Sequence, residues 1–286
     1  MSQNPIWQIK FYGVRGSIPV CDSNFQQFGG NTTCIYVDLL INDRNNMIAI
    51  FDAGTGIRRL GKEIRKGIIP DTKHILLAFT HFHWDHIQGL PFFEPAYCKD
   101  KKIAFFTPLH TMKDAELKQI LERQMQKEYF PVQLDNIGAD LKFFTAEEYR
   151  SYLGFEKTVD FSYRMHNHPG GAFSYRIEAA GRCVVICTDV EHGKSLDQQV
   201  VEFCRNADLL IHDAQYTDEE LASHSGWGHS SYSQAIECAK LANAKQLIFT
   251  HHDPDHDDDF LMKMETKCRR EFANSSIARA GMEVLV

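Results

Sequence analysis

A chain of 286 residues, 43% of them hydrophobic, is long enough to bury a full core and reads as globular, not as disordered or fibrous. Lysine and arginine total 31 against 38 acidic residues, and the net charge of −7 removes the general attraction that a long nucleic acid would need. The opening, Met1 to Trp7, lacks the basic start and apolar run of a secretory leader, and no stretch has the length of about 18 apolar residues that a membrane helix requires, so a cytoplasmic protein is expected.

Taken in chain order, alternating or apolar runs at Gln8 to Gly13, Cys34 to Leu40 and Met47 to Phe51 predict strands, separated by turn-rich segments such as Phe28-Gly-Gly-Asn31. Ile57 to Lys66 has helical spacing, and His74 to Phe79 is a buried-type strand that ends at a histidine-rich loop. Ala115 to Glu128 reads as a charged amphipathic helix within a helical insertion from about 91 to 150, either a cover or a substrate lid. Strands are predicted at Thr158 to His166, Ala172 to Glu178, Arg182 to Thr188 and Asp208 to Ile211. Helix Ser230 to Leu241, strand Lys245 to Thr250, helix Asp258 to Glu271 and a last strand Ile277 to Val286 follow. With no linker or repeat, residues 1–286 read as a single domain. The eight cysteines are too dilute for a disulfide scaffold and read as buried free thiols.

The chemistry concentrates in Thr80-His81-Phe82-His83-Trp84-Asp85-His86, an H-x-H-x-D-H pattern that chance would produce on the order of 0.002 times in a chain of this composition. Imidazoles and a carboxylate so close together suit zinc, manganese or iron. Alternate residues of an extended segment face one way, so His81 and His83 can hold one ion while the next turn offers Asp85 and His86 to a second. Further donors stand just after buried-type strands: His168 before Pro169-Gly-Gly171, Asp189 after Cys183 to Thr188, and His251 after Gln246 to Thr250.

These motifs together resemble the metallo-β-lactamase superfamily, and within it the ribonuclease Z-like phosphodiesterase branch. The resemblance spans Phe11 to Val286. It implies an α/β fold, the four-layer αββα sandwich, and two divalent ions, zinc or manganese with iron also open. It assigns His81, His83 and His168 to one ion and Asp85, His86 and His251 to the other, with Asp189 bridging. It favours His168 over His166, and His251 over His252 by its place directly after strand and Thr250. Ile211-His-Asp-Ala-Gln215 sits where the branch carries His-Glu-Ala-Thr, and Gly228-His229-Ser-Ser231 opens the next helix. The resemblance therefore makes His229 the general acid and Asp213 the residue that orients it, with Asp for Glu shortening the orienting arm and Gln standing where the branch has Thr. Gly13 to Pro19 with Phe28 to Thr33 looks like the signature of a bacterial phosphodiesterase-like subgroup. There Ser17 or Asn31 could approach an anion or the ions, as could His252, although a plain strand connection fits equally. Asp52 resembles the carboxylate that supports the histidine loop without ligating metal.

Two ions lower the pKa of water and clamp a phosphoryl group, so hydrolysis of a small phosphodiester is the natural chemistry, with Asp85 counted among the catalytic residues. Resemblance to the subgroup puts a 3′,5′-cyclic nucleotide first. The alternatives are a carbon-ester or lactone hydrolase, a tRNA 3′-processing endonuclease, and a non-catalytic metal-dependent sensor. A homodimer is implied only by analogy with the branch.

Overall fold

The structure is a computed structural model that describes residues 6–40, 47–69, 72–109, 112–153 and 159–286. Of the opening segment only Ile6 and Trp7 are among them, and the expected strand start at Thr158 lies outside. The first half contains β1 (Trp7–Gly13), β2 (Cys34–Leu39), β3 (Met47–Phe51), α1 (Ile57–Arg65), β4 (His74–Ala78), α2 (Trp84–Ile87), β5 (Lys102–Phe106), α3 (Asp114–Gln124), β6 (Asp140–Phe144) and α4 (Tyr149–Leu153). The second contains β7 (Asp160–His166), β8 (Ala172–Ala179), β9 (Arg182–Cys187), α5 (Gln198–Phe203), β10 (Leu209–Asp213), α6 (Asp218–Ser223), α7 (Tyr232–Leu241), β11 (Leu247–Thr250), α8 (Asp258–Glu271), β12 (Ser275–Ile277) and β13 (Glu283–Leu285).

The strands form two sheets, in order β13-β1-β2-β3-β4-β5-β6 and β12-β11-β10-β9-β8-β7. In each, an antiparallel part passes into a parallel one: β3 to β6 run parallel in the first, β9 to β12 in the second. The inner parallel strands β4, β9, β10 and β11 are covered on both faces, and their sequences are correspondingly apolar over most of their length. One core lies between the sheets, where Phe51, Phe161 and Tyr175 meet with ring centroids 5.1 to 6.2 Å apart. A second packs Ile57, Leu60 and Ile64 of α1 and Leu117 and Leu121 of α3 on the outer face of the first sheet. A third packs α5, α7 and α8 on the outer face of the second. These are the four layers of an αββα sandwich.

Two expectations need correction. The stretch 91–150 is not a helical insertion, because it carries β5 and β6, which extend the first sheet in parallel register with β4. Its helix α3 buries Leu117 and Leu121 against that sheet. The single strand expected at Ile277 to Val286 is two strands in different sheets. Between them Gly281, at φ 91°, donates its N–H to the Phe11 carbonyl, and this turn carries the chain across.

Candidate metal centre

The strand ends converge on one edge of the sandwich. Asp52 follows β3, the histidine loop follows β4, Asp189 follows β9, and His251 follows β11. Asp52, Asp189 and His251 all adopt left-handed backbone conformations, at φ 63°, 58° and 64°. Such a conformation in a non-glycine residue costs on the order of 1–3 kcal/mol and persists where the surroundings hold it. Its effect here is to turn each chain sharply at the strand tip, where these three side chains meet the histidine loop. The loop is tied across the sheets as well: Tyr175 donates its hydroxyl to the Phe79 carbonyl at 2.6 Å, and Phe173 N–H donates to the Thr80 carbonyl at 3.0 Å.

The donors fall into two adjoining sets, and a third, Asp189, Asp213, His229 and His251, shares two members with the second. His81, His83 and His168 offer one nitrogen each within 4.8 Å of the others, and so do the ligand atoms of Asp85, His86, Asp189 and His251. In the first set, His168 Nε2 and His83 Nδ1 lie 3.0 Å apart. In the second, Asp85 Oδ2 lies 3.2 Å from His86 Nε2 and 3.1 Å from His251 Nε2. Asp189 Oδ1 reaches both sets, 3.3 Å from His86 Nε2, 3.1 Å from His251 Nε2 and 3.8 Å from His81 Nε2. All these side chains are buried except His83, which is exposed and opens the site to solvent.

The residues present fit a pair of cations. His81 Nε2 is buried with no hydrogen-bond partner, a polar atom left bare unless something binds it. Burial, and then the neighbouring His86, hold the His81 imidazole well below its ordinary pKa, so its lone pair is available. At His251 burial acts downward, but Asp189 and Asp85 outweigh it and carry the imidazole up to about 9. Buried carboxylates that raise their neighbours in this way mark a place built for positive charge.

The orienting contacts of metal-ligating histidines are also in place. His86 Nδ1 donates to Asp52 Oδ2 at 2.8 Å, and Asp52 also accepts from the Thr80 N–H and hydroxyl. His168 Nδ1 donates to the Gly228 carbonyl at 2.9 Å. His251 Nδ1 donates to Gln215 Oε1 at 2.9 Å, so the glutamine that departs from the branch pattern has an orienting task. Glu191, which sequence reasoning missed, accepts from Gly226 N–H and Gly228 N–H and so holds the loop that fixes His168. Nothing in its local sequence announces that role. Asp52→Asn, which keeps the shape and tolerates a positive φ, should weaken metal binding about 10–100-fold, read by chelator competition. An unchanged affinity would remove Asp52 from the support of His86.

Asp213, at the end of β10, is short but reaches: its Oδ2 accepts from His229 Nδ1 at 2.9 Å and its Oδ1 from Ser230 N–H at 2.8 Å. His229 stacks on His251 at 4.8 Å and meets His168 edge-on at 5.3 Å, placing it at the seam between the two donor sets. Ser17 contributes its backbone, donating N–H to Asp85 Oδ2 at 2.8 Å. The donor sets take in His251 and not His252. The Asn31 carbonyl accepts from Val14 and Arg15 N–H, a plain connection between loop and strand. His252 is fully buried and its Nε2 donates to the Ala278 carbonyl at 2.9 Å.

Residues 49–252, most of the chain, match the model of the beta-lactamase superfamily domain. The chain belongs to the beta-lactamase superfamily. It is a metal-dependent hydrolase of that superfamily and ribonuclease Z-like in its relations. Ribonuclease BN of Proteus mirabilis is 24% identical to this superfamily member over 95% of the chain and 97% of its own length. Among solved structures, the metallo-beta-lactamase fold protein YhfI of Bacillus subtilis superposes with a TM-score of 0.66 at 18% identity, covering 99% of this chain and all of its own. A diphosphatase from the PhnP family does so with a TM-score of 0.66 at 18% identity over 97% of each chain. Among the described residues of this superfamily member, no helix is long and apolar enough to cross a membrane.

Proposed function

We propose that the protein is a two-metal phosphodiesterase that hydrolyses a small phosphodiester, with a 3′,5′-cyclic nucleotide as the leading candidate. The observation that carries this reading is the Asp213–His229 pair at the seam of the two donor sets. Cleaving a phosphodiester expels an alkoxide, which needs a proton; ester and lactone cleavage by the same centre has less use for such a dedicated donor.

His81, His83 and His168 would hold one ion, Asp85, His86 and His251 the other, with Asp189 between them. Bound there, two zinc or manganese ions supply Lewis-acid stabilisation of a phosphoryl group and lower the pKa of water toward neutrality. The protein's own groups do the rest. Asp213 holds the Nδ1 proton of His229, which leaves Nε2 as the atom that delivers a proton to the leaving oxygen. Ser17 N–H holds the Asp85 carboxylate in one orientation.

Beside His81 and His83 lies a cavity of ≈190 Å³, lined also by Leu109, Met165, Pro169 and Phe173. Its size and apolar walls suit one ring system of a small substrate. The net charge of −7 favours a compact anion steered by the ions over a long polyanion. The eight free cysteines suit a reducing compartment, and we assign the protein to the cytoplasm.

The ribonuclease relatives favour a second reading, cleavage of an RNA phosphodiester near a tRNA 3′ end. A panel of cyclic nucleotides, a generic aryl phosphodiester, an aryl carboxylate ester and a precursor tRNA separates the readings. Turnover is expected on the cyclic nucleotides and the aryl phosphodiester. Activity confined to the carbon ester overturns the phosphodiesterase, and activity confined to precursor tRNA replaces the small substrate with the RNA.

A further inference from the structure

On the outer face of the second sheet, away from the centre described above, a different set of donors meets. His192 follows β9, His212 lies on β10 and Cys238 on α7; all three are buried, with one ligand atom each within 4.8 Å of the others. His192 Nε2 and His212 Nε2 are 3.3 Å apart, with ring centroids at 5.3 Å and planes inclined at 22°. The pair His86 and His251, inside the candidate metal centre, has the same values: 3.3 Å between Nε2 atoms, 5.3 Å and 22°. An N–H···O hydrogen bond usually spans about 2.7–3.2 Å. Two nitrogens at 2.0–2.1 Å from one tetrahedral zinc stand about 3.3–3.4 Å apart.

The surroundings match the needs of a ligand. His212 Nδ1 donates to the Asp213 carbonyl at 2.7 Å, which fixes its tautomer and leaves the Nε2 lone pair directed at His192. Near the set is His166, buried. Cys204 lies beside Cys238. Thiol and imidazole donors together select zinc-like cations over magnesium or calcium.

We propose that His192, His212 and Cys238 form a third metal site, structural and separate from the catalytic pair, that takes zinc or a similarly thiophilic divalent cation. The site ties the loop after β9, which carries Glu191, to the strand that carries Asp213 and to α7, so an ion there holds the supports of both His168 and His229. The metal-free alternative is a hydrogen bond from His192 Nε2 to His212 Nε2, with Cys238 hydrogen-bonded to His212 and Cys204. The Asp197 N–H that faces His192 Nδ1 at 3.3 Å favours that arrangement, and binding an ion reverses it.

The test uses the full-length protein exchanged into cobalt(II). Every ligand proposed for the catalytic pair is an imidazole or a carboxylate, so a thiolate-to-cobalt charge-transfer band in the near ultraviolet reports Cys238. The band is expected in the wild type and in Asp189→Ala, and it should vanish in Cys238→Ala. Metal content by plasma mass spectrometry should fall by one equivalent in Cys238→Ala, with the other equivalents retained. A wild-type cobalt protein without the band, or a band that survives Cys238→Ala, overturns the site. Should Cys238→Ala fail to fold, the wild-type band and its loss in His192→Gln decide the matter.

Discussion

His229→Ala should lower turnover of a cyclic nucleotide by roughly 10²–10⁴-fold while bound metal stays at the wild-type level, because the residue is placed as a proton donor and not as a ligand. Its ring is held by Asp213 at 2.9 Å, and since its ligand atom also lies within 4.8 Å of those of Asp189, Asp213 and His251, the metal analysis separates a proton donor from a ligand. The size of the loss should depend on the leaving group. An aryl phosphodiester that releases a stable phenolate needs little protonation, so the defect on it should be the smaller of the two. The measurement is kcat on both substrates alongside metal analysis. Equal losses on both, or loss of metal, would show that His229 serves the centre in another way.

Asp189→Ala is expected to do still more damage. Asp189 Oδ1 lies within 3.8 Å of imidazoles from both sets, and it is almost fully buried. Burial pushes its carboxyl upward, but His251, His86 and His81 outweigh it and keep it ionised. Deleting it leaves those imidazoles without their shared counter-charge. The variant should retain fewer catalytic ions per chain and lose activity on the order of 10³-fold or more, since the chemistry depends on two ions acting together. Metal titration by calorimetry with parallel activity assays checks this, and a variant that still seats both catalytic ions and turns over normally would sink the bridging role.

Different parts of the molecule were legible to different degrees. The histidine loop could be read because its donors are close in sequence, where the extended and helical periods decide which side chains share a face. The inner parallel strands could be read from their apolar runs, since strands covered on both sides have no polar face, and β1 could be read from its alternation. The stretch 91–150 was misread because α3 gives a strong helical signal, while Lys102–Phe106 and Asp140–Phe144 are short strands whose place depends on pairing with β4. The last strand was misread because Gly281 marks a turn but does not say that the residues on its two sides join different sheets. Glu191 and Gln215 act through partners 35 to 37 residues away, a separation at which no local pattern operates.

The sequence by itself determined the chemistry on offer: clustered borderline donors, a carboxylate among them, more donors after buried strands, and a histidine at a helix entrance. Those are properties of residue type and short-range spacing. Only the tertiary structure decided which groups meet. It chose His251, not His252, for the cluster, turned Ser17's backbone toward Asp85, and set His192 and His212 face to face beside Cys238. The physical reason is that convergence is set by two sheets packed face to face and by left-handed turns at individual strand tips, and those are fixed by contacts between residues far apart in the chain.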